Sequence, residues 1–226
     1  MSAPISIILP TLNAADGIGP CIAALVPGVV EGLVRELIIA DGGSRDGIEL
    51  VAEAAGARLL IGAPGRGGQL RRGAEAAQGE WLLFLHADTV LSADWVSVAR
   101  RHLREAPEAA GWFRLEFDEP GAAAAWTAGW AVWRSRMLGL PYGDQGLLVR
   151  RDVYRAAGGY PEQPLMEDVA LARRLRTREL AATARTSAER YRREGWLRRG
   201  WRNLGTLALW YVGAYPARLA RRYARS

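Results

Sequence analysis

The chain has 226 residues, 50% of them hydrophobic and 24% charged, which supports one sizeable core and excludes wholesale disorder. Its net charge is +6, and with no Lys present all 30 basic residues are Arg, a side chain whose planar fork grips oxyanions. The single cysteine, Cys21, excludes an intrachain disulfide framework and a Cys-based metal site, and no apolar run reaches the ~18 residues of a membrane-spanning helix.

Ile5 to Leu9 reads as a first strand, beginning too soon after Met1 for a basic signal-peptide region and ended by Pro10-Thr11. A turn from Leu12 to Gly17 leads into a helix over about Gly19 to Val30. Leu37 to Ala40 is a second strand, stopped by Asp41-Gly42-Gly43-Ser44-Arg45-Asp46-Gly47. A helix from Ile48 to Ala55 follows, closed by Gly56, then a short strand over Arg58 to Ile61. Residues 62–69 read as a Gly-rich basic loop before a helix that runs through Ala77. Trp81 to Leu85 is an unbroken apolar run, the pattern of a strand buried on both faces of a parallel sheet. Alternating strands and helices joined by Gly-rich turns predict an α/β fold with a parallel sheet.

The pattern changes near Pro107. Gly111 to Asp118 alternates apolar and polar residues, as a strand open to water on one face does. Ala122 to Met137 is read as helix, 142–146 as loop, Leu147 to Val149 as strand, and Asp152 as the cap of a brief helix ending at Gly158-Gly159. A strong helix is expected over Val169 to Arg178, and two helices over 190–226, split near Pro216. From Arg173 onward Arg greatly outnumbers the acids, so the tail is basic. Such a tail serves nucleic acid, an anionic membrane surface or plain solubility. Leu204 to Tyr215 is apolar and Arg-flanked, which suits packing on the domain, a dimer contact or a membrane surface.

Each early motif falls where a strand ends and a helix begins, so the polar groups gather on one rim of the sheet, where open α/β sheets bind ligands. Asp88 follows the buried run; it either caps the next helix or anchors a divalent cation carrying a diphosphate. Asp41 is placed to accept hydrogen bonds from a base or ribose, and Gly42 and Gly43 to let backbone approach a ligand, though Asp-Gly-Gly-Ser is also a good turn. Arg66 is either solvated or neutralises a phosphate. Glu167 and Asp168 open a helix; they either complement its dipole or supply a general base.

With these residues the chain resembles a family 2 glycosyltransferase of GT-A fold over about Ile5 to Arg178. The pieces that carry the resemblance are Pro10-Thr11-Leu12-Asn13, residues 41–47, Leu85-His86-Ala87-Asp88-Thr89, Gly143-Asp144-Gln145 and Met166-Glu167-Asp168. More narrowly it is similar to a compact bacterial subgroup linked to arsenosugar biosynthesis. The resemblance implies a mostly parallel sheet flanked by helices, with a nucleotide-sugar half over 1–106, an acceptor half over 107–185 and a helical basic extension over 186–226. It implies a nucleotide-sugar donor, most often a UDP-sugar, contacted by Pro10, Thr11, Asn13, Asp41, Gly43, Arg66 and Asp88. It implies Mn²⁺ or Mg²⁺ on Asp88, which matches the last acid of the family's Asp-X-Asp motif; His86 stands where the first acid belongs and either ligates the metal, Mn²⁺ better than Mg²⁺, or does not touch it. Asp168 would be the base of a single inverting displacement, with Glu167 supporting it or taking its place. Gly143, Asp144 and Gln145 would face a small or lipid-like acceptor. Trp196 ends a stretch, Arg192 to Trp196, that resembles the Gln-X-X-Arg-Trp acceptor motif without its Gln.

Two other classes share parts of this pattern. A sugar nucleotidyltransferase would want its Gly-rich loop directly after the first strand, where Gly17 and Gly19 match poorly. A non-catalytic nucleic-acid module would use the Arg tail, and acids at strand ends argue against it. A cytosolic location, peripheral on the membrane if the tail touches it, fits the composition.

Overall fold

The computed structural model describes residues 3–224, with side chains up to residue 220. Expectations reaching residues 1–2 and 225–226 lie outside them. The first half alternates strictly: β1 (Ile5–Thr11), α1 (Gly19–Val30), β2 (Val34–Asp41), α2 (Ile48–Ala54), β3 (Arg58–Ile61), α3 (Arg66–Ala76) and β4 (Trp81–Phe84). Then come β5 (Thr89–Leu91), α4 (Trp95–Glu105), β6 (Ala110–Phe117), α5 (Ala122–Leu138), β7 (Leu147–Arg150), α6 (Arg151–Ala156) and α7 (Glu167–Ala172). The chain finishes with β8 (Thr177–Thr186), α8 (Glu189–Glu194), α9 (Trp196–Tyr211) and α10 (Pro216–Ala224).

One sheet runs through the molecule in the order β3-β2-β1-β4-β7-β6-β8-β5. The pairs β2/β3, β1/β2, β1/β4 and β6/β8 are parallel, while β7 lies antiparallel to β4 and β6, and β5 antiparallel to β8. The strand period of two sorts the apolar run to both faces. Trp81, Leu83 and Leu85 join Ile5, Ile7 and Leu9 under α1 and α4, whereas Leu82 and Phe84 join Ile8 and Ile38 under α3 and α6. Full burial on both sides is why these strands carry almost no polar residue until their C-terminal ends.

Four sequence expectations need correction. The helix expected over Val169 to Arg178 stops at Ala172, and a strand missed by the reading occupies Thr177–Thr186. Alanine favours helix locally, but Leu180, Ala182, Ala184 and Thr186 are buried at every second position between β6 and β5, and that packing prevails. The loop expected over 62–69 is already helix from Arg66. Gly67 serves close approach: a Cβ there would lie 2.2 Å from the Pro161 carbonyl oxygen. Asp152 stands in the first turn of α6 behind the cap residue Arg150, so that helix starts earlier than read. The tail holds three helices, with Gly195 between α8 and α9. Leu207 packs with Leu140, Met166 and Val169, so this part of the tail lies on the domain, while Tyr211, Val212 and Tyr215 are exposed. Among the described residues no helix is long and apolar enough to cross a membrane.

Candidate active site

The C-terminal ends of β1, β2 and β4 bring three loops to one rim, and hydrogen bonds tie two of them together. The Asn13 N–H donates to Ser44 Oγ at 2.7 Å, the Arg45 N–H to Asn13 Oδ1 at 3.0 Å and the Ala15 N–H to Asp46 Oδ2 at 2.7 Å. Asn13 accepts a left-handed φ of 50° to make the turn. Gln69 of α3 fastens the junction from beneath, donating to the carbonyls of Thr11 and Ala40 at 2.6 and 2.9 Å.

Asp41 is the knot of this arrangement. Its Oδ1 accepts from Thr11 Oγ1 at 2.9 Å and from Ser44 Oγ, and its Oδ2 accepts from the N–H groups of Gly43 and Ser44, each at 2.7 Å. Gly43 reaches this geometry with φ 89°, a glycine conformation. Burial opposes the charge on Asp41, but the bonds from Ser44, Thr11 and Gly43 outweigh it and hold the carboxyl below its usual value. All four acceptor positions of the carboxylate are therefore filled from within the protein.

Two adjoining cavities open on this rim. The larger, about 590 Å³, is lined by Pro10, Thr11, Asn13, Gly65 and Gln69 on its loop side. The smaller, about 170 Å³, is lined by Tyr142, Gly143, Asp144 and Asp168 on its far side. Both share Arg66, His86, Asp88, Leu165, Glu167 and Arg190, which form the wall between them. Asp88 is exposed there. Because β5 separates it from α4, whose cap residue is Asp94, the capping reading of Asp88 lapses.

The wall is strongly charged. The Arg66 guanidinium lies 3.5 Å from the Glu167 carboxylate, whose side chain is only 3% exposed. Burial first, and then the negative charge of Asp168, push Glu167 up to about 7 against the pull of Arg66. Asp168 accepts from the Gly143 N–H at 3.0 Å and from the Val169 N–H at 2.8 Å. Asp144 is pushed up to about 6, chiefly by burial, and its Oδ1 has no hydrogen-bond partner. His86 is held well below its usual range by burial and by the positive charges of Arg66 and Arg190, so its ring is neutral. Its Nε2 is sealed and unpartnered, and a Cβ at Gly143 would lie 2.5 Å from it. Burial, with Asp88 nearby, raises the Cys21 thiol to about 12, too high for a thiolate nucleophile.

Of the residues named from the sequence, Pro10, Thr11, Asn13, Arg66, His86, Asp88, Gly143, Asp144, Glu167 and Asp168 meet along this cleft. Asp41 and Gly43 stand behind it as the support of the loops. Gln145 is fully buried; its Oε1 accepts from Ser135 Oγ at 2.7 Å and from Arg134 at 3.2 Å. Trp196 lines a neighbouring hollow and stacks on Tyr191 at 4.7 Å. Sequence reasoning missed Arg190, one arginine among many in the tail, and Tyr142, which lies under the Arg134 guanidinium at 3.4 Å from its ring centre.

The model of the glycosyl transferase family 2 matches residues 6–143, more than half of the chain. A glucosyl-3-phosphoglycerate synthase of Mycolicibacterium paratuberculosis is 39% identical over 95 residues, 38% of this chain and 29% of that protein. A PGL/p-HBAD biosynthesis glycosyltransferase of Mycobacterium bovis is 37% identical over 105 residues, 40% of this chain and 38% of that one. The matched segments thus span well under half the length of these relatives. Among solved structures, Staphylococcus aureus TarS (residues 1–349) in complex with UDP-GlcNAc superposes with a TM-score of 0.63 at 16% identity, over 81% of this chain and 58% of that one. Glucosyl-3-phosphoglycerate synthase of Mycobacterium tuberculosis, with Mn²⁺, UDP and glucosyl-3-phosphoglycerate, gives 0.53 at 22% identity, over 82% and 70%. From the family match and the shared architecture, the chain belongs to glycosyl transferase family 2 and has the GT-A fold.

Proposed function

We propose that this chain transfers a sugar from a nucleotide-diphosphate donor, a UDP-sugar, to an acceptor hydroxyl with inversion at the anomeric carbon. The observation that carries the reading is the shared wall: Asp88 faces the larger cavity and the smaller one, and the smaller one holds Asp168. The donor would lie in the larger cavity, its nucleoside along Pro10, Thr11 and Asn13. Its diphosphate would meet Arg66 at the N-terminus of α3, where backbone N–H groups and the helix dipole favour an anion. Relatives of the family bind UDP or UDP-GlcNAc in their crystal structures, which supports this choice.

Asp168 would take the proton of the acceptor hydroxyl. The oxygen then bonds to the anomeric carbon from the face opposite the diphosphate, and the carbon–diphosphate bond breaks with its electron pair on the leaving group. Arg66 and Arg190, which line both cavities, would stabilise the negative charge on that leaving group. Glu167, paired to Arg66, serves to hold the guanidinium in place.

The residues fit a divalent cation that arrives with the donor. Among the described residues no cluster of three or more His, Cys, Asp or Glu side chains would hold a metal alone. One exposed carboxylate, Asp88, suits an ion that keeps waters and takes its other ligands from phosphate oxygens. The sealed Nε2 of His86 is poorly placed to join it. When bound, such an ion would stabilise charge on the leaving diphosphate.

Calorimetric titration with UDP, with and without Mn²⁺, tests the reading. Saturable binding that needs the ion and is lost in Asp88→Ala is the expected result. UDP binding that ignores both the ion and Asp88 would sink it.

A further inference from the structure

Beside the cleft lies another hollow, of about 330 Å³, between α5 and α9. Trp126 and Trp130 of α5 face Trp196, Leu197, Trp201 and Leu204 of α9 across it. Trp126, Leu197 and Trp201 are 64%, 74% and 73% exposed, so large apolar side chains converge here without a core to enter. The polar groups in the wall are grouped. Thr127 and Arg134 are bonded internally, to the Ala123 carbonyl and to the Leu140 carbonyl and Gln145. Tyr142, Asp144, Tyr191 and Asn203 mark the junction, because they line both this hollow and the cavity that holds Asp168. The buried Asp144 Oδ1 at that junction lacks a donor, and such an atom is completed by a ligand's hydroxyl.

Resting on the sugar-transfer reading, we propose that the acceptor is an alcohol with an apolar body, which lies in the hollow between α5 and α9 while its hydroxyl passes Asp144 to reach Asp168. A volume of about 330 Å³ stands at the low end of small-molecule pockets. It takes a ring system or a short alkyl chain and leaves the rest of a longer molecule outside. Trp196, expected on the acceptor side, is in this arrangement a wall of the acceptor's apolar subsite.

The test uses monomeric n-octyl β-glucoside as the tailed alcohol, methyl β-glucoside as its tail-less control, and UDP with Mn²⁺ as the donor-side probe. Gly200 lines the hollow, and a Cβ built there meets nothing within 4 Å, so Gly200→Leu projects its side chain into the space without a clash at the backbone. Wild type is expected to bind the octyl compound about tenfold or more tighter than the methyl one, since each buried methylene adds hydrophobic driving force. Gly200→Leu is expected to abolish that preference and leave UDP binding unchanged. Equal binding of the two glucosides, or an octyl preference that survives Gly200→Leu, overturns the proposal. So does a dimer that Gly200→Leu dissolves, which would give the hollow to a second copy. Loss of UDP binding in wild type with the octyl preference intact defeats the donor reading and leaves the hollow standing. Phosphatidylglycerol vesicles distinguish the source: binding lost in Gly200→Leu identifies a lipid alcohol, and absence of vesicle binding identifies a soluble one, and both uphold the subsite.

Discussion

The Gly143 N–H donates to Asp168 Oδ2 at 3.0 Å. The same glycine lies flat against His86, since a Cβ there would come within 2.5 Å of Nε2. Gly143→Ala must therefore move either the imidazole or the backbone that orients Asp168. Turnover is expected to fall by about 10²-fold, the cost of a displaced catalytic group, with UDP affinity nearly intact. UDP-glucose hydrolysis, with water as acceptor, measures the first quantity and calorimetry the second.

Asp168→Asn removes the proposed proton acceptor but keeps the shape and one hydrogen-bonding oxygen. Loss of general-base assistance is expected to lower kcat by roughly 10²–10⁴-fold with donor binding unchanged. Glu167→Gln should cost much less in the same hydrolysis assay. If the two variants exchange ranks, Glu167 is the base.

Glu167 also sets a pH dependence. Burial and then Asp168 raise its carboxyl from 4.5 to about 7. Between those values the folded chain holds a proton that the unfolded chain has released, so this group's contribution to stability declines as pH rises and levels off above about 7. Glu167→Gln has no proton to lose. Its stability relative to wild type is expected to increase across that window, by on the order of 1–3 kcal/mol. Denaturant titrations at about pH 5 and about pH 8 read the difference.

Asp41 behaves in the opposite sense. Its carboxyl is held below the usual value, so its contribution is present above the unfolded-state value of 3.8 and is lost as pH falls through the folded one. Asp41→Ala leaves Thr11, Gly43 and Ser44 without their acceptor inside a nearly closed turn. A loss of about 3 kcal/mol or more is expected in denaturant titrations at neutral pH. Weakened UDP binding in this variant would follow from the loosened loop.

For the metal, Asp88→Ala is expected to weaken Mn²⁺-dependent UDP affinity by about tenfold or more, while His86→Gln does so by about twofold or less, because the Asp88 carboxylate is exposed whereas the His86 Nε2 is sealed against Gly143. Asp88 is exposed, so its removal should leave the melting temperature almost unmoved.

The first half of the molecule was readable because its strands are buried on both faces and its loops carry unambiguous turn residues. Arg58 to Ile61 matches β3 end to end, and Gly19 to Val30 matches α1. What escaped depends on partners far along the chain. Thr177–Thr186 is strand only because β6 and β5 flank it, and no local composition announces that. Asp41 carries a motif that suits ligand contact and loop closure equally, and only the donors around it show that its oxygens are taken. Arg190 enters the cleft because β8 turns the chain back towards it, which a count of tail arginines could not convey.

Thr89 is paired with Thr186 on the antiparallel ladder of β5 and β8. Asp88 precedes the first of these and Ser187, leading to Arg190, follows the second. One backbone rung thus sits between Asp88 and the helices α8 and α9 that wall the smaller cavity. Clipping the polypeptide just past that rung would cut Arg190 loose from the sheet that positions it in both cavities, so a protease cut there is expected to disturb both halves of the cleft together. The stretch of tail around Arg190 is thus masonry of the cleft itself, and a tether or fusion pulling on it is expected to be felt at Asp88.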